Sequence, residues 1–371
     1  MKSCERPAIP GKYIVRMITG SHAYGMATPE SDIDIRGIFI PTKEYFLGFM
    51  KRVEQVEAKG EGNVDGTTIY DIRKYLKLAS DVNPNVIELL FTPEDCILER
   101  TPTYDLLVQN RQLFLSKKAR WTYAGYAIAQ IHRIEVHRKW LLNPPKEEPR
   151  REDYGLPPQE KLISKEQIGA FYVTLAHILR DTVSIMPEMN DLYRTVVTIV
   201  TSEAFPGWEG LIQSRGIPDS AFPFIQKLTG CSENFIAALQ REQAYYRLMN
   251  DWNKYQDWLK TRNPKRAELE KKFGFDTKHG SHVVRLMEQG CHLLKTGELK
   301  VRLDNAEQVR KIREGIWLDG TEITYDKIKE YAVQKENEMK DLYDNCNILP
   351  KESNRKKIDE MCISIVESSI L

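Results

Sequence analysis

The chain has 371 residues, 41% hydrophobic and 29% charged, a balance that excludes a wholly disordered protein and suits two globular domains. Lys and Arg number 54 against 53 Asp and Glu, a net charge of +1, so an overall basic coat for nucleic acid is excluded while a local basic patch is not. No apolar run approaches the roughly 18 residues of a membrane span, and the opening MKSCERPAIPGKY holds no secretory apolar core. Cysteines at 4, 96, 231, 291, 346 and 362 form no CxxC pair, which fits free thiols in a reducing compartment. A cytoplasmic protein with no membrane partner is expected.

In chain order, residues 13–19 (YIVRMIT) read as a buried strand, and residues 33–40 (IDIRGIFI) as a strand with one wet face over its first half. Residues 67–72 (TTIYDI) read as a third strand running into RKYLKLA, which has helical spacing at Ile72, Tyr75, Leu76 and Ala79. Residues 95–100 (DCILER) are a short fourth strand. Beyond residue 112 helical periodicity takes over, at 119–140, 164–185, 191–201, 232–262, 278–296, 325–343 and 355–367. Five prolines between 143 and 158 make that segment a loop, either solvated or acting as a lid. The expected class is α+β. A small mixed sheet with helices fills a catalytic domain at 1–112, and a mainly helical nucleotide- and substrate-binding domain follows at 113–371.

The chemistry concentrates in residues 18–37, ITGSHAYGMATPESDIDIRG. Gly20 and Ser21 follow an apolar strand, where glycine lets backbone N–H groups approach a ligand and a following helix start would attract phosphate. Asp32 and Asp34 stand two apart, so on a strand they share a face. Two desolvated like charges conflict, and a divalent cation with oxygen ligands, Mg²⁺ above all, removes the conflict. A third carboxylate is needed to hold a second metal; Asp71 on the third strand is the candidate, with Glu54 and Glu88 as rivals. Two metals about 3.5–4 Å apart stabilise both the attacking and the leaving oxygen of a phosphoryl transfer.

Residues 111–151 carry ten Lys or Arg and three acids, a local charge of +7. That excess fits either a solvated helix face or a triphosphate clamp at Lys117 continued by a polynucleotide track. Trp121, Tyr123, Tyr126 and Trp140 interleave there, as core residues or as base-stacking surfaces. Lys278 and Arg285 flank His279 and His282 and are further candidates for phosphate contact. No GxxxxGK[ST] loop and no GxSxG elbow is present, which argues against a P-loop ATPase and a serine hydrolase.

An apolar residue, Gly-Ser, a spacer, Asp-x-Asp and a later acid resemble the signature of the polymerase β superfamily of nucleotidyltransferases. The matching positions are Ile18, Gly20, Ser21, Asp32, Asp34 and, by strand order alone, Asp71. GSHAYG…SDIDIRG, NPNVIELLF at 83–91, LNPP…PRREDYGLP from 142 and KHGSHVVRL…TGEL from 278 are similar to the nucleotidyltransferases associated with RNA repair in bacteria and large phages. The resemblance implies transfer of a nucleoside monophosphate from an NTP, ATP among the candidates, to an acceptor hydroxyl. It implies two Mg²⁺ ions, with Mn²⁺ able to substitute. Asp32, Asp34 and Asp71 would be metal-binding and catalytic, and Gly20, Ser21, Lys117 and Lys278 nucleotide-binding. The resemblance and the basic stretch favour an RNA 3′ end as the expected acceptor; a protein or small-molecule hydroxyl, or a non-catalytic nucleotide- or RNA-binding role, are the alternatives.

Overall fold

The computed structural model describes residues 6–59, 64–201, 217–262 and 264–370. The fold has the expected α+β class, 61% helical and 10% strand, with the strands confined to the N-terminal part. The chain packs as two units, Met1–Leu142 with Pro264–Leu371, and Asn143–Asn263. This division follows packing; the functional division expected at residue 112 is a separate matter.

The first unit is built on a five-stranded sheet of β1 (Gly11–Thr19), β2 (Ile33–Pro41), β3 (Gln55–Lys59), β4 (Val64–Asp71) and β5 (Ile97–Arg100), in the order β3-β4-β2-β1-β5. β1 pairs antiparallel with β2 and β5, β2 pairs parallel with β4, and β3 pairs antiparallel with β4. The sheet is therefore mixed, as expected. β3 is the unexpected strand: QVEAK is an edge strand with no buried residue, so it carries no periodic apolar signal.

Helices α1 (Lys43–Leu47), α2 (Ile72–Ser80), α3 (Pro84–Ile87), α4 (Pro102–Gln109) and α5 (Ala119–Leu142) follow or interrupt these strands. α2 buries Ile72, Tyr75, Leu76 and Ala79, the four positions that its spacing marks out. After the second unit the chain returns as α10 (Pro264–Phe273), α11 (Thr277–Thr296), α12 (Ala306–Ile312), α13 (Tyr325–Asn345) and α14 (Arg355–Ile370). α11 packs against α5, α12 and α13, and it buries residues on every side, Val283, Val284, Leu286 and Met287 among them. Met17, Ile38, Tyr75 and Leu286 share one core, so the sheet and α11 are a single packed body.

The second unit holds α6 (Lys165–Val183), α7 (Asn190–Val200), α8 (Phe222–Thr229) and α9 (Glu233–Thr261). Its own core joins Phe171, Tyr172 and Leu175 of α6 to Val196, Ile199, Phe222, Ile225, Ile236 and Leu239. The proline-rich stretch enters this unit through a single turn at Arg151–Tyr154. Arg151 binds the fully buried Glu242 carboxylate at 3.0 and 2.7 Å, and donates to the carbonyls of Pro157 and Glu160, each at 2.7 Å. Glu242 also accepts from the Leu162 N–H at 3.0 Å. This one ion pair therefore pins the loop to α9. Among the described residues no helix is long and apolar enough to cross a membrane, and Cys96, Cys231, Cys291, Cys346 and Cys362 are free thiols.

Removing one partner of a buried pair strands the other charge, so Glu242→Ala should cost about 3–5 kcal/mol. Chemical denaturation followed by tryptophan fluorescence measures this; a loss under about 1 kcal/mol, the worth of an exposed pair, would contradict the anchoring role.

Candidate active site

β1 ends at Thr19, and the chain turns at once through Gly20, which sits at φ +65°. Tyr24 N–H bonds Gly20 O at 3.1 Å and Met26 N–H bonds Ser21 O at 2.8 Å, closing a compact turn. The sequence suggests a helix start here, but the structure has none. Gly25, at φ +76°, breaks the helical path after one turn, and Pro29 follows. Ser21 therefore offers a turn, with no helix N-terminus behind it.

The turn lies directly against the second aspartate. Thr19 pairs with Asp34 across the sheet, and its hydroxyl donates to the Asp34 carbonyl at 3.3 Å. A Cβ placed on Gly20 would stand 2.4 Å from Asp34 Oδ2. Only a residue without a side chain can occupy this position while the carboxylate keeps its place. Asp34 is half-buried at the start of β2, and Asp32 is exposed just ahead of it.

Arg36 lies two residues along β2, about 7 Å from Asp34 at the rise of a strand. Its Nη1 donates to the Asn85 carbonyl and lies 3.6 Å from Glu88 Oε1. Burial by itself would lower the Arg36 pKa; the negative charges of Glu88 and, less strongly, Asp34 more than reverse this and raise it. Glu88 is 3% exposed. The Tyr24 hydroxyl donates to it, 2.9 Å from each carboxylate oxygen, and Arg285 Nη1 approaches at 4.0 Å. The Arg285 guanidinium also stacks 4.1 Å above the Tyr24 ring. One buried carboxylate thus connects the signature turn, the aspartate strand and α11.

Asn85 and Arg285 line a cavity of about 270 Å³ together with Tyr126, Gln130 and Arg133 of α5 and Lys278, His279, His282 and Leu286 of α11. No carboxylate lines it. His279 Nδ1 is 2.8 Å from Gln130 Oε1, and Asn83 donates to the Tyr126 hydroxyl at 2.7 Å. Burial first, then the positive charges of Arg285, Arg313, Lys278 and His279, push the His282 pKa well below its ordinary 6.5.

The structure does not bring every expected residue to this place. Asp71 ends β4 opposite Phe39, five residues beyond Asp34 along β2, or roughly 16 Å at the rise of a strand. It is 1% exposed, caps α2 by accepting from the Arg73 N–H at 2.7 Å, and pairs with Arg73 Nη2 at 2.6 Å. Glu54 lies at that same remote end: its carbonyl accepts from Asp71 N–H, and its carboxylate binds Lys74 at 2.9 Å. Glu88 is close but is already held by Tyr24 and Arg36. Among the described residues no group of three or more His, Cys, Asp or Glu gathers in a way that could hold a metal. Of the two signature aspartates, Asp34 lies against the turn and Asp32 is exposed two residues ahead of it.

Lys117 is also elsewhere. Its amine donates to the Tyr343 carbonyl at 3.2 Å and lies 5.6 Å from the centre of that ring. Tyr126, which lines the cavity, is nine residues further on, about 14 Å along a helix. Lys118 binds Asp81 at 2.5 Å and Arg120 lies 3.6 Å from Glu336, so these members of the basic stretch serve packing; Arg133 is the one lining the cavity. Lys278 does line it. Arg36 and Asn85 were not anticipated, although Arg36 stands at i+2 from Asp34 and so shares its face of the strand.

The family model described as RNA repair pathway DNA polymerase beta family, RlaP, matches residues 8–150, which include the turn, both aspartates and α5. This part of the chain is therefore similar to the polymerase β-like proteins of RNA repair. A 38.9 kDa protein of the nrdC-mobD intergenic region of Enterobacteria phage T4 is 28% identical over 134 residues, 34% of this chain and 39% of that protein. The YcgL protein of Bacillus subtilis (strain 168) is 29% identical over 79 residues, 21% of this chain and 30% of YcgL. The chain thus spans well under half the length of these curated relatives. No solved structure matches the chain.

Two outcomes follow from this geometry. Gly20→Ala should cost about 1–2 kcal/mol for its left-handed backbone, plus the displacement of Asp34. In an Asp34→Ala background only the backbone cost should remain, and a double-mutant cycle by denaturation should show coupling above about 0.5 kcal/mol; strict additivity would contradict the contact. His282 is held neutral in the folded chain, whereas the unfolded chain takes up its proton below about pH 6.5. The stability that neutral His282 contributes is therefore present above that pH and lost as the pH falls. His282→Asn should flatten the acid limb of a stability–pH profile, and an unchanged limb would contradict a neutral imidazole.

Proposed function

We propose that the chain is a metal-dependent nucleotidyltransferase that moves a nucleoside monophosphate from an NTP to the 3′ hydroxyl of an RNA, releasing pyrophosphate. The observation that carries this reading is the contact of the Gly20 turn with the Asp34 carboxylate, on a strand whose Arg36 bonds Asn85 in the wall of a cavity lined by cations. The match to a family named for RNA repair supports the choice of RNA as acceptor. A cytoplasmic setting is part of the reading and fits the free thiols.

The aspartate pair fits a divalent cation. Mg²⁺ is held through one or two carboxylates, with substrate phosphates and waters completing its shell. Asp32 and Asp34 are hard oxygen donors on either side of one residue, and the missing side chain of Gly20 lets the turn lie directly against Asp34 Oδ2. These two residues would hold Mg²⁺ ions, or Mn²⁺ in their place. Bound there, the metal supplies neutralisation of the phosphate charge and polarises the phosphorus under attack.

The chain's own residues do the positioning. Gly20 and Ser21 would present the turn backbone to the phosphates, and Lys278 would offset their charge from α11. Arg36, fixed by Asn85 and Glu88, keeps a positive charge on the face that Asp34 shares. In the reaction the acceptor oxygen forms a bond to the α-phosphorus, and the bond to the bridging oxygen breaks. Pyrophosphate departs, and the acceptor proton passes to a carboxylate or to water. Asp71 has no part in this step, because its carboxylate caps α2 and pairs with Arg73.

The test is transfer of label from each NTP, with Mg²⁺, to bulk RNA and in parallel to bulk protein. Label should enter RNA. Asp32→Ala or Asp34→Ala should lower transfer by more than about 100-fold, beyond what loss of an outer-shell partner costs, with folding unchanged. Label in protein alone would replace RNA as the acceptor, and normal turnover in either variant would overturn the site.

A further inference from the structure

α9 changes its apolar side along its length. Its buried residues, Ile236, Leu239, Glu242 and Gln243, all lie in the first half, where Ile236 and Leu239 join the core of the second unit and the Gln243 amide donates to the Ile217 carbonyl at 2.9 Å. Heptad steps from Ile236 and Gln243 lead to Asn250 and Asp257, so the face that meets the core ends in polar residues. In the second half the apolar residues stand on the opposite side, at Tyr245, Leu248, Trp252, Tyr255 and Leu259, and the series closes on Arg262 at the helix end. Their spacing alternates between three and four residues, the seam of a coiled coil. We propose that this seam is a docking surface for a second copy of the chain, paired antiparallel about a two-fold axis.

Leu248 and Leu259 are 44% and 43% exposed on one stripe, apolar surface that a partner would remove from water. Tyr245, Trp252 and Tyr255 are half-buried. The Trp252 and Tyr255 ring centres lie 6.2 Å apart, and Tyr255 lies 6.0 Å from Trp258, over which the Arg262 guanidinium stacks at 4.5 Å. At the other end the Arg151 guanidinium lies 5.2 Å from the centre of the Tyr245 ring. The ion pair that holds the proline-rich segment to α9 therefore also steadies the start of the seam. Side chains held in this way lose little freedom when a partner docks.

The seam is its own complement. A two-fold axis between Asn253 and Lys254 sets Trp252 against the partner's Tyr255, Leu248 against the partner's Leu259 and Tyr245 against the partner's Arg262. Ring meets ring, leucine meets leucine, and the one charge on the seam meets an aromatic face. Parallel pairing would set Arg262 against the partner's Arg262, and like charges opposed across an interface are costly. A two-fold contact uses the same patch on both copies, so assembly stops at two. Single-stranded RNA is the competing occupant of an aromatic face with cations nearby, but Leu248 and Leu259 interrupt the rings and offer no π-face to a base. The pairing does not rest on the nucleotidyltransferase reading.

The experiment is analytical ultracentrifugation of the full chain over a concentration series, for the wild type, Leu248→Glu, Leu259→Lys and an equimolar mixture of the two variants. The wild type should pass from monomer to dimer as its concentration rises. Each variant alone should associate at least about tenfold more weakly, because leucine burial is lost at the interface. In the mixture, antiparallel pairing joins the introduced acid to the introduced lysine in one layer and keeps both leucines in the other, so the dimer should return. Both positions are exposed, so the variants should keep the wild-type circular dichroism spectrum. The Asp32→Ala/Asp34→Ala double variant should dimerise as the wild type does, which separates this surface from the catalytic reading. A wild type that stays monomeric, variants that dimerise as well as the wild type, or a mixture that stays monomeric would each overturn the proposal. A monomeric wild type whose binding to a single-stranded oligoribonucleotide is lost in Leu248→Glu would give the face to nucleic acid instead.

Discussion

The buried carboxylate of Glu88 is the constraint on which the site depends. Placing a charge in a position 3% exposed is unfavourable unless it is paired and hydrogen-bonded. Its partners come from three separate parts of the chain: Tyr24 from the turn after β1, Arg36 from β2, and Arg285 from α11, some 200 residues later. Satisfying this single group fixes the turn, the strand and the helix to one another. The Tyr24 ring, with Arg285 stacked on it, makes the same junction through its apolar face. The aspartates and the cationic cavity are neighbours because Glu88 lies between the elements that carry them.

This arrangement divides the labour between sheet and helices. The sheet supplies rigid backbone: the Thr19–Asp34 pairing and the bare flank of Gly20 set where Asp34 can be. The helices supply charge, since Arg133, Lys278 and Arg285 all stand on α5 or α11, whose packing against each other is continuous with the core under the sheet. The second unit has a core of its own and a buried Arg151–Glu242 pair that holds the proline-rich entry segment to α9.

Much of this was legible in the sequence. β1, β2, β4 and the long helices announce themselves through apolar periodicity, and the Gly-Ser and Asp-x-Asp pattern points to the turn and the strand that come together. Where the structure separates residues that the sequence groups together, the causes are physical. Asp71 is an acid on the correct neighbouring strand, but β2 and β4 run parallel, so strand starts lie together and an acid at the end of β4 falls beside Phe39. Lys117 looks like a free cation at the head of a helix, yet its amine is used by the Tyr343 carbonyl across 226 residues of sequence. Glu88 had the right neighbourhood and a different role: burial between arginines makes it a counter-charge. Long-range pairing of this kind leaves no local pattern to read, whereas the face shared by Asp34 and Arg36 was available from simple alternation.

The most direct test of the account is a crystal structure of the chain with Mn²⁺ and a non-hydrolysable NTP, with the metal located by anomalous scattering. The account predicts manganese against the carboxylates of Asp32 and Asp34, with the nucleotide's phosphates between the Gly20–Ser21 turn and the cavity at Arg285. Manganese at Asp71, or a nucleotide seated away from the Gly20 turn, would contradict it.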